Sequence, residues 1–487
     1  MSDDHQALHL MTVAVAHLRS GEVPQAIAAF EASLAIDPHQ PDAWFNLAWA
    51  QRASRQFGAA LHAYARAIAA SDPHPEQARL NRATILSDHL FRPTEAVAEL
   101  EQALRDTPDF LPAWLNLGNL HEDLGNPTAA RKAYEQVLAR APHNGRAHAR
   151  LAAIDVATGA PEAAIARLKA AVPQATDVAD RAELLFALGN ALDAAGETTD
   201  AFQAIEAANW IARSIAPYRY DAAAQERLVD ALIAGYPVRG ETRAETVQAP
   251  AKTPIFLCGM FRSGSTLAEK ILGQHREITS GGELETIPAI VQSLRPYPAA
   301  ALALSPDAIA QLRARYLADL PGDGCVTDKR CDNFLHIGLI KTLFPDARII
   351  HTRRNVLDTL LSTYFLQFGD GVVYGSDLLE AGHYYVQYAR LMAHWQAVYG
   401  PDIVDMDYDA LVVDPGAAVS EVLAALELSW DAACLGEPDA PAAVRTASTW
   451  QVRRPIHRDS LHRWQRYRAQ LANVIALLER AGISVTP

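Results

Sequence analysis

Cysteine is scarce in this sequence: Cys258, Cys325, Cys331 and Cys434 are the four in 487 residues, and no two form a Cys-x-x-Cys pair. That spacing argues against a disulfide scaffold and against a structural zinc site. No stretch of about 18 uncharged apolar residues occurs, so no membrane span is expected. Basic charge is also short, with 43 Lys and Arg against 57 Asp and Glu, a net charge of −14. Duplex nucleic acid is disfavoured as a main partner, because its affinity comes from neutralised phosphates. A small anion can still be held where a pocket is locally basic. Glycine and proline, 26 and 28 residues, are too few for a collagen-like or low-complexity chain. The stretch Met1–His9 is polar and acidic and lacks a basic-then-apolar leader, so a cytoplasmic protein is expected. No His-Glu-x-x-His or similar cluster occurs, and no metal is expected.

What remains is an ordinary folded composition, 50% hydrophobic and 21% charged. At about 150 residues per domain the length suits about three domains or two large ones. The first half is periodic. Pro38, Pro73, Pro108 and Pro142 are spaced 35, 35 and 34 residues apart. In phase with them run Ala26/Phe30, Ala60/Tyr64, Ala96/Leu100, Ala130/Tyr134, Ala164/Leu168 and Ala201/Ile205, each a small residue followed four positions later by a large one. Trp44-x2-Leu47-Ala48 is echoed by Trp114-x2-Leu117-Gly118.

A helix pair per period accounts for all three marks. The alanine admits a close neighbour, the large residue one turn on fills the gap, and the proline ends the second helix. This pattern resembles tetratricopeptide repeats over roughly residues 5 to 215. Trp44, Tyr64, Trp114 and Tyr134 are then expected in the core between layers rather than at a ligand.

The second half opens on an anion loop. Pro254–Gly259 reads as a buried strand, Met260-Phe261-Arg262-Ser263-Gly264-Ser265-Thr266 as a turn, and Leu267 to Leu272 as a helix. Strand, turn and helix in that order aim backbone N–H groups at a phosphate. Gly259-x4-Gly264 has the Walker spacing, but Ser265 stands where the phosphate lysine belongs, and the positive charge moves back to Arg262. A second strand ends in Arg348-Ile-Ile-His-Thr-Arg353-Arg354, and Ser362 follows Arg354 by eight residues. Arginine at a strand end and serine two helical turns on can converge on one dianion.

An Arg-Ser-Gly-Ser-Thr loop with this downstream Arg and Ser resembles the donor site of sulfotransferases, in the bacterial branch related to tyrosylprotein sulfotransferases. The likeness covers roughly residues 250 to 470. It implies an α/β, P-loop-like domain with a parallel sheet behind the α-helical repeat solenoid. It also implies 3′-phosphoadenosine 5′-phosphosulfate (PAPS) as donor and 3′-phosphoadenosine 5′-phosphate (PAP) as product. On it, Arg262, Ser263, Gly264, Ser265 and Thr266 hold the 5′-phosphosulfate, and Arg354 and Ser362 the 3′-phosphate. Lys329, in Thr327-Asp328-Lys329-Arg330, sits by the bridging oxygen. Glu283, in Gly281-Gly282-Glu283-Leu284-Glu285, is the base, with Glu285 in reserve. Tyr408, in Asp407-Tyr408-Asp409-Ala410-Leu411, lies near the nucleotide, and Arg453 and Arg454 close over it from an arginine-rich C-terminal segment. Phe261 departs from the family, which usually has proline there. No histidine has the neighbours of the catalytic histidine of small-molecule sulfotransferases; His275 and His351 read as structural.

The expected organisation is a repeat array over residues 1–215, a connecting helix and linker over 216–250, and a PAPS-dependent sulfotransferase domain over 251–487. Glu283, Lys329 and Arg262 are the expected catalytic residues. The expected acceptor is a hydroxyl, tyrosine in a peptide or protein by the resemblance, with the repeats as its docking array; a homodimer is left open. Three rivals stand beside this: transfer to a carbohydrate or small molecule, an interaction protein with an inactive nucleotide-sensing domain, and an ATP-dependent kinase. The missing Walker lysine argues against the last.

Overall fold

The computed structural model describes residues 3–70, 74–238, 252–368, 371–436 and 456–485. Arg453 and Arg454 lie outside the described residues. The chain divides into two compact units, the first ending at Ala175 and the second beginning at Thr176.

The first unit is a helical repeat array. Its helices are α1 (Asp3–Arg19), α2 (Val23–Ile36), α3 (Pro41–Ala53), α4 (Phe57–Ala69), α5 (Pro75–Asp88), α6 (Pro93–Asp106), α7 (Leu111–Asp123), α8 (Pro127–Arg140), α9 (Gly145–Ala157) and α10 (Pro161–Ala171). They pack as consecutive pairs, and each pair packs on the next. The small–large ladder is its core: Ala26, Phe30, Ala60, Tyr64, Ala96, Ala164 and Leu168 are fully buried. A side-chain carbon on Gly118 of α7 would lie 2.4 Å from the Tyr134 ring of α8, so the large residue occupies the space that the small one leaves open.

The two tryptophans differ from the expectation. Tyr64 and Tyr134 are fully buried, but Trp44 and Trp114 are only partly so. Each indole Nε1 donates to the carbonyl of the proline closing the preceding repeat, Pro38 at 2.9 Å and Pro108 at 2.8 Å. His148 reaches the Pro142 carbonyl in the same way at 2.9 Å. An indole has one donor and needs one acceptor, and that pairing holds it at the edge of the layer rather than in its centre.

The second unit contains α11 (Val178–Ala194), α12 (Thr198–Ile215), α13 (Ala222–Gly235) and an α/β body. A five-stranded, all-parallel sheet runs in the order β2-β3-β1-β4-β5, with β1 Lys252–Gly259, β2 Ile278–Ser280, β3 Gly324–Lys329, β4 Arg348–Arg353 and β5 Ile403–Asp407. Between them come α14 (Ser265–Leu272), α15 (Thr286–Ser293), α16 (Ala299–Leu302), α17 (Pro306–Asp319), α18 (Ile337–Leu343), α19 (Val356–Tyr364) and α20 (Leu378–Tyr399). After β5 follow α21 (Tyr408–Val413), α22 (Pro415–Ala425) and a closing helix, Ala472–Arg480.

Strand side chains alternate, and β1 shows it. Ile255 and Leu257 join a cluster with Ala268 and Ile271 of α14 and Val419 and Leu423 of α22. Phe256 points the other way, 5.6 Å from the Tyr316 ring of α17 and 6.2 Å from Phe344. Both faces are therefore covered, as a parallel sheet requires. The strand order reverses at β1, and ligands of open α/β sheets bind beyond the strand ends at such a point. No described helix is long and apolar enough to cross a membrane.

Candidate active site

Three strand ends meet at that crevice. In register, Leu257 of β1 stands beside Lys329 of β3, and Gly259 beside Thr352 of β4. The loop from Met260 to Gly264 therefore rises between Lys329 on one side and Arg353-Arg354 on the other.

The loop is tight. Arg262, with φ +72°, lies in a region that side-chain-bearing residues seldom occupy. Gly264 has φ +98°, and a side-chain carbon there would lie 2.5 Å from the Tyr408 ring. Ser263 Oγ bonds Thr352 Oγ1 at 2.7 Å, and Ser265 Oγ bonds Cys331 Sγ at 3.3 Å, so the loop is tied to β4 on one side and to the turn after β3 on the other. Thr266 lies in the first turn of α14. Phe261 packs edge-on against Phe368, ring centres 5.8 Å apart.

Arg354 and Ser362 are set by the next strand–helix turn. Asn355 caps α19, accepting from Leu357 N at 3.0 Å and Asp358 N at 3.2 Å. Arg354 thus stays at the strand end while α19 carries Ser362 back toward the loop. Ser362 is buried, and its Oγ accepts from Arg262 Nε at 2.9 Å. Arg354 donates to the Arg262 carbonyl at 3.4 Å and the Ser460 carbonyl at 2.6 Å, and its guanidinium lies 4.8 Å from the centre of the Tyr408 ring. The structure thus brings together Arg262, Ser362, Arg354, Gly264 and Tyr408.

It adds a residue that sequence reasoning passed over. Arg463 stacks on Phe365, 4.4 Å from the ring centre. Burial, then the neighbouring charges of Arg354 and Arg463, pull the Arg262 guanidinium down to about 10. Three cations thus crowd one place. The Nε atoms of Arg354 and Arg463 are buried and have no hydrogen-bond partner among the described residues. Buried donors are normally satisfied, and like charges converge where an anion separates them. The signal for Arg463 was the run of seven arginines from Arg445 to Arg468. Asp358 fixes the segment, accepting from the backbone N–H groups of His462 and Trp464, both at 2.8 Å.

Lys329 and Glu283 form the other half. Lys329 is 2% exposed and its Nζ donates to Glu283 Oε1, while the Glu283 side chain is 48% exposed. Burial works to lower the Lys329 ammonium, but Cys331 and the Glu283 and Glu269 carboxylates outweigh it and raise its pKa. Glu285 is separately engaged, accepting from Arg330 Nη1 at 2.8 Å. Under this segment lies Glu269 of α14, which accepts from Gly282 N and Thr327 Oγ1, both at 2.9 Å; burial pushes its carboxyl up. Lys329 N donates to Gly282 O at 2.8 Å, closing the link. Histidines 275 and 351 are held elsewhere, by the Ser429 carbonyl at 2.9 Å and by Asp405 at 2.7 Å.

An arginine-lined loop with a buried lysine beside an open carboxylate can hold an anionic group and sets a cation and a proton acceptor next to it. Residues 254–432 match the sulfotransferase family. The chain thus joins a sulfotransferase family domain to tetratricopeptide repeats, which match over residues 13–78, 90–145 and 122–185. A protein of Aquifex aeolicus (strain VF5), named as an uncharacterized protein, is 31% identical over 327 residues, 63% of this chain and 42% of its own length. The chain therefore spans less than half of that curated relative. Among solved structures, PilW, a type IV pilus biogenesis factor, is 23% identical with a TM-score of 0.34, over 41% of this chain and 90% of its own. PilF of Pseudomonas aeruginosa is 19% identical with a TM-score of 0.35, over 42% and 91%. Arg463 lies beyond the end of the sulfotransferase match.

Proposed function

We propose that the chain transfers a sulfuryl group from PAPS to an acceptor hydroxyl. The observation that carries this reading is the convergence of Arg262, Arg354 and Arg463 on the loop, with two buried guanidinium donors unpartnered among the described residues. A nucleotide bearing two separate anionic groups suits it. Arg262, Ser263, Ser265, Thr266 and the loop N–H groups hold the 5′ end. Arg354 and Ser362 hold the 3′-phosphate, and Tyr408 flanks the nucleotide between Arg354 and Gly264. Arg453 and Arg454 keep their proposed role as closing cations.

PAPS supplies the sulfuryl group and the phosphate that leaves. The chain supplies position and charge. Glu283 is the acid–base residue: its carboxylate is half exposed, so a hydroxyl can reach it and give up its proton. An ordinary tyrosine, with a pKa of about 10, needs such a base at neutral pH. Lys329 remains an ammonium and offers a buried cation, with its proton, to the leaving oxygen. Releasing Glu283 from Lys329 as substrates arrive would free both groups together. Transfer of a planar, three-oxygen group depends chiefly on in-line placement and charge stabilisation, as in phosphoryl transfer.

The acceptor is the narrower part. A tyrosine hydroxyl in a peptide or protein, held by the repeat array, is the reading that the resemblance to tyrosylprotein sulfotransferases supports. The test is calorimetric binding of PAP against ADP and Mg-ATP, followed by transfer of labelled sulfuryl from PAPS to tyrosine peptides and to sugars. Tight PAP binding and labelled peptide are expected. Preference for Mg-ATP overturns the donor; labelled sugar alone overturns the acceptor; PAP binding without transfer to anything favours an interaction protein with an inactive domain.

A further inference from the structure

Asp193 stands at the end of α11, outside both the anion loop and the sulfotransferase match. It is 14% exposed and takes three bonds from one turn of the C-terminal segment. Arg463 Nη2 pairs with its Oδ2 at 2.9 Å, Arg466 Nη2 with Oδ1 at 3.2 Å, and the Tyr467 hydroxyl donates to Oδ1 at 2.6 Å. An acid in the last turn of a helix meets the negative end of the helix dipole and is disfavoured there. These partners offset that position. Burial raises the Tyr467 phenol, which keeps it a donor.

The packing around this carboxylate runs straight to the anion site. Phe202 of α12 lies 5.6 Å from the Tyr364 ring and 6.2 Å from Tyr467, and Phe365 lies 5.2 Å from Tyr467. Asn190 and Asn209 donate to the Phe365 and Tyr364 carbonyls at 3.1 and 2.9 Å, fixing the end of the helix that carries Ser362. Arg463 stacks on Phe365 with one nitrogen on Asp193 and its Nε buried without a partner among the described residues.

We propose that Asp193 is a positioning residue for the donor site: by binding Arg463, Arg466 and Tyr467 it holds the Arg463 guanidinium at the anion loop, making the α11–α12 hairpin part of the nucleotide site. This rests on the reading of the loop as an anion site and on PAPS as its donor.

The sign of the effect separates positioning from plain electrostatics. Removing a negative charge close to an anion site strengthens anion binding by Coulomb's law. Loss of positioning weakens it. Binding of PAP and of inorganic pyrophosphate is measured for the whole chain, Asp193→Asn, Asp193→Glu, Arg463→Gln and the double variant Asp193→Asn/Arg463→Gln, beside the melting temperature of each unliganded protein. Asp193→Asn is expected to weaken both anions by about tenfold, the scale of one charge-assisted hydrogen bond. Asp193→Glu restores part of the loss, and Asp193→Asn costs nothing further in the Arg463→Gln background. Unchanged or tighter binding in Asp193→Asn overturns the proposal. So does an equal loss in both backgrounds, which marks a general structural role. Wild type that binds pyrophosphate but not PAP ends the donor reading, and the Asp193 comparison is then decided on pyrophosphate. Wild type that binds neither overturns both.

Discussion

Lys329 and Glu283 meet through an ammonium–carboxylate bond although they lie on separate elements, one at the end of β3 and the other in the turn before α15. The lysine is 2% exposed and the glutamate 48%. In the proposed reaction Glu283 can leave this pair toward solvent while Lys329 stays buried. Glu269, beneath the turn, makes the arrangement rigid by holding Gly282 N and Thr327 Oγ1.

Lys329→Met is expected to keep the fold and to lose about 10²–10³ in turnover, the cost of one preorganised donor. Glu283→Gln is expected to lose turnover similarly, while Glu285→Gln, whose carboxylate is taken by Arg330, stays within a few-fold of wild type. Single-turnover rates with PAPS and an accepted hydroxyl compound check all three. Wild-type rates in either of the first two remove that residue from the reaction, and a large loss in the third moves the base to Glu285.

Arg354→Ala is expected to weaken PAP by about 10- to 100-fold, as for hydrogen bonds to a charged group. Part of that loss is indirect, because Arg354 also braces the Arg262 and Ser460 carbonyls. Arg354→Lys keeps the charge but cannot reproduce the fork. Titration calorimetry separates the two: recovery in the lysine variant assigns the effect to charge, and none assigns it to geometry. Unchanged affinity in Arg354→Ala removes the 3′-phosphate assignment.

Gly264→Ala places a side-chain carbon 2.5 Å from the Tyr408 ring at a φ of +98°. Backbone strain alone costs about 1–3 kcal/mol at such a position. Lower stability in denaturant and weaker PAP binding are expected. Tyr408→Ala added to it opens the space but leaves the strain, so the double variant recovers stability only in part. Full recovery would show that the ring, not the backbone, requires glycine there.

Much of this could be read from the residues in order. The ladder from Ala26/Phe30 to Ala201/Ile205 is periodic, and periodicity survives folding because each layer repeats the last. The anion loop is local, so Gly259, Arg262 and Gly264 announce it. Arg354 and Ser362 are also on one strand–helix turn, though the hydroxyl of Ser362 goes to Arg262. Asp193, Asp358 and Arg463 escaped because their meaning is tertiary. An aspartate in a helix reads as solvent-facing until the C-terminal turn that it holds is placed beside it, and Arg463 was one arginine among seven. The indoles of Trp44 and Trp114 escaped for a smaller reason, a single N–H that needed a carbonyl.

Asp328 offers a prediction in pH. It is fully buried beside Lys329, accepts from the Tyr316 hydroxyl at 2.8 Å, and burial above all pushes its carboxyl up to about 7 from an ordinary 3.8. Glu269 adds to the rise; Tyr316 and Arg330 oppose it. Between those two values the folded protein holds the proton more tightly than the unfolded chain. Stability from this group is therefore greatest at low pH and falls as pH rises toward 7, by roughly 4 kcal/mol across the window at one pKa unit per 1.36 kcal/mol. Asp328→Asn removes the titration and keeps an acceptor for Tyr316. Relative to wild type its stability is expected to improve from pH 5 to pH 8, measured by urea unfolding at each pH. A difference that is flat with pH would mean that Asp328 titrates alike in the folded and unfolded chain, and that Tyr316 and Arg330 fully offset its burial.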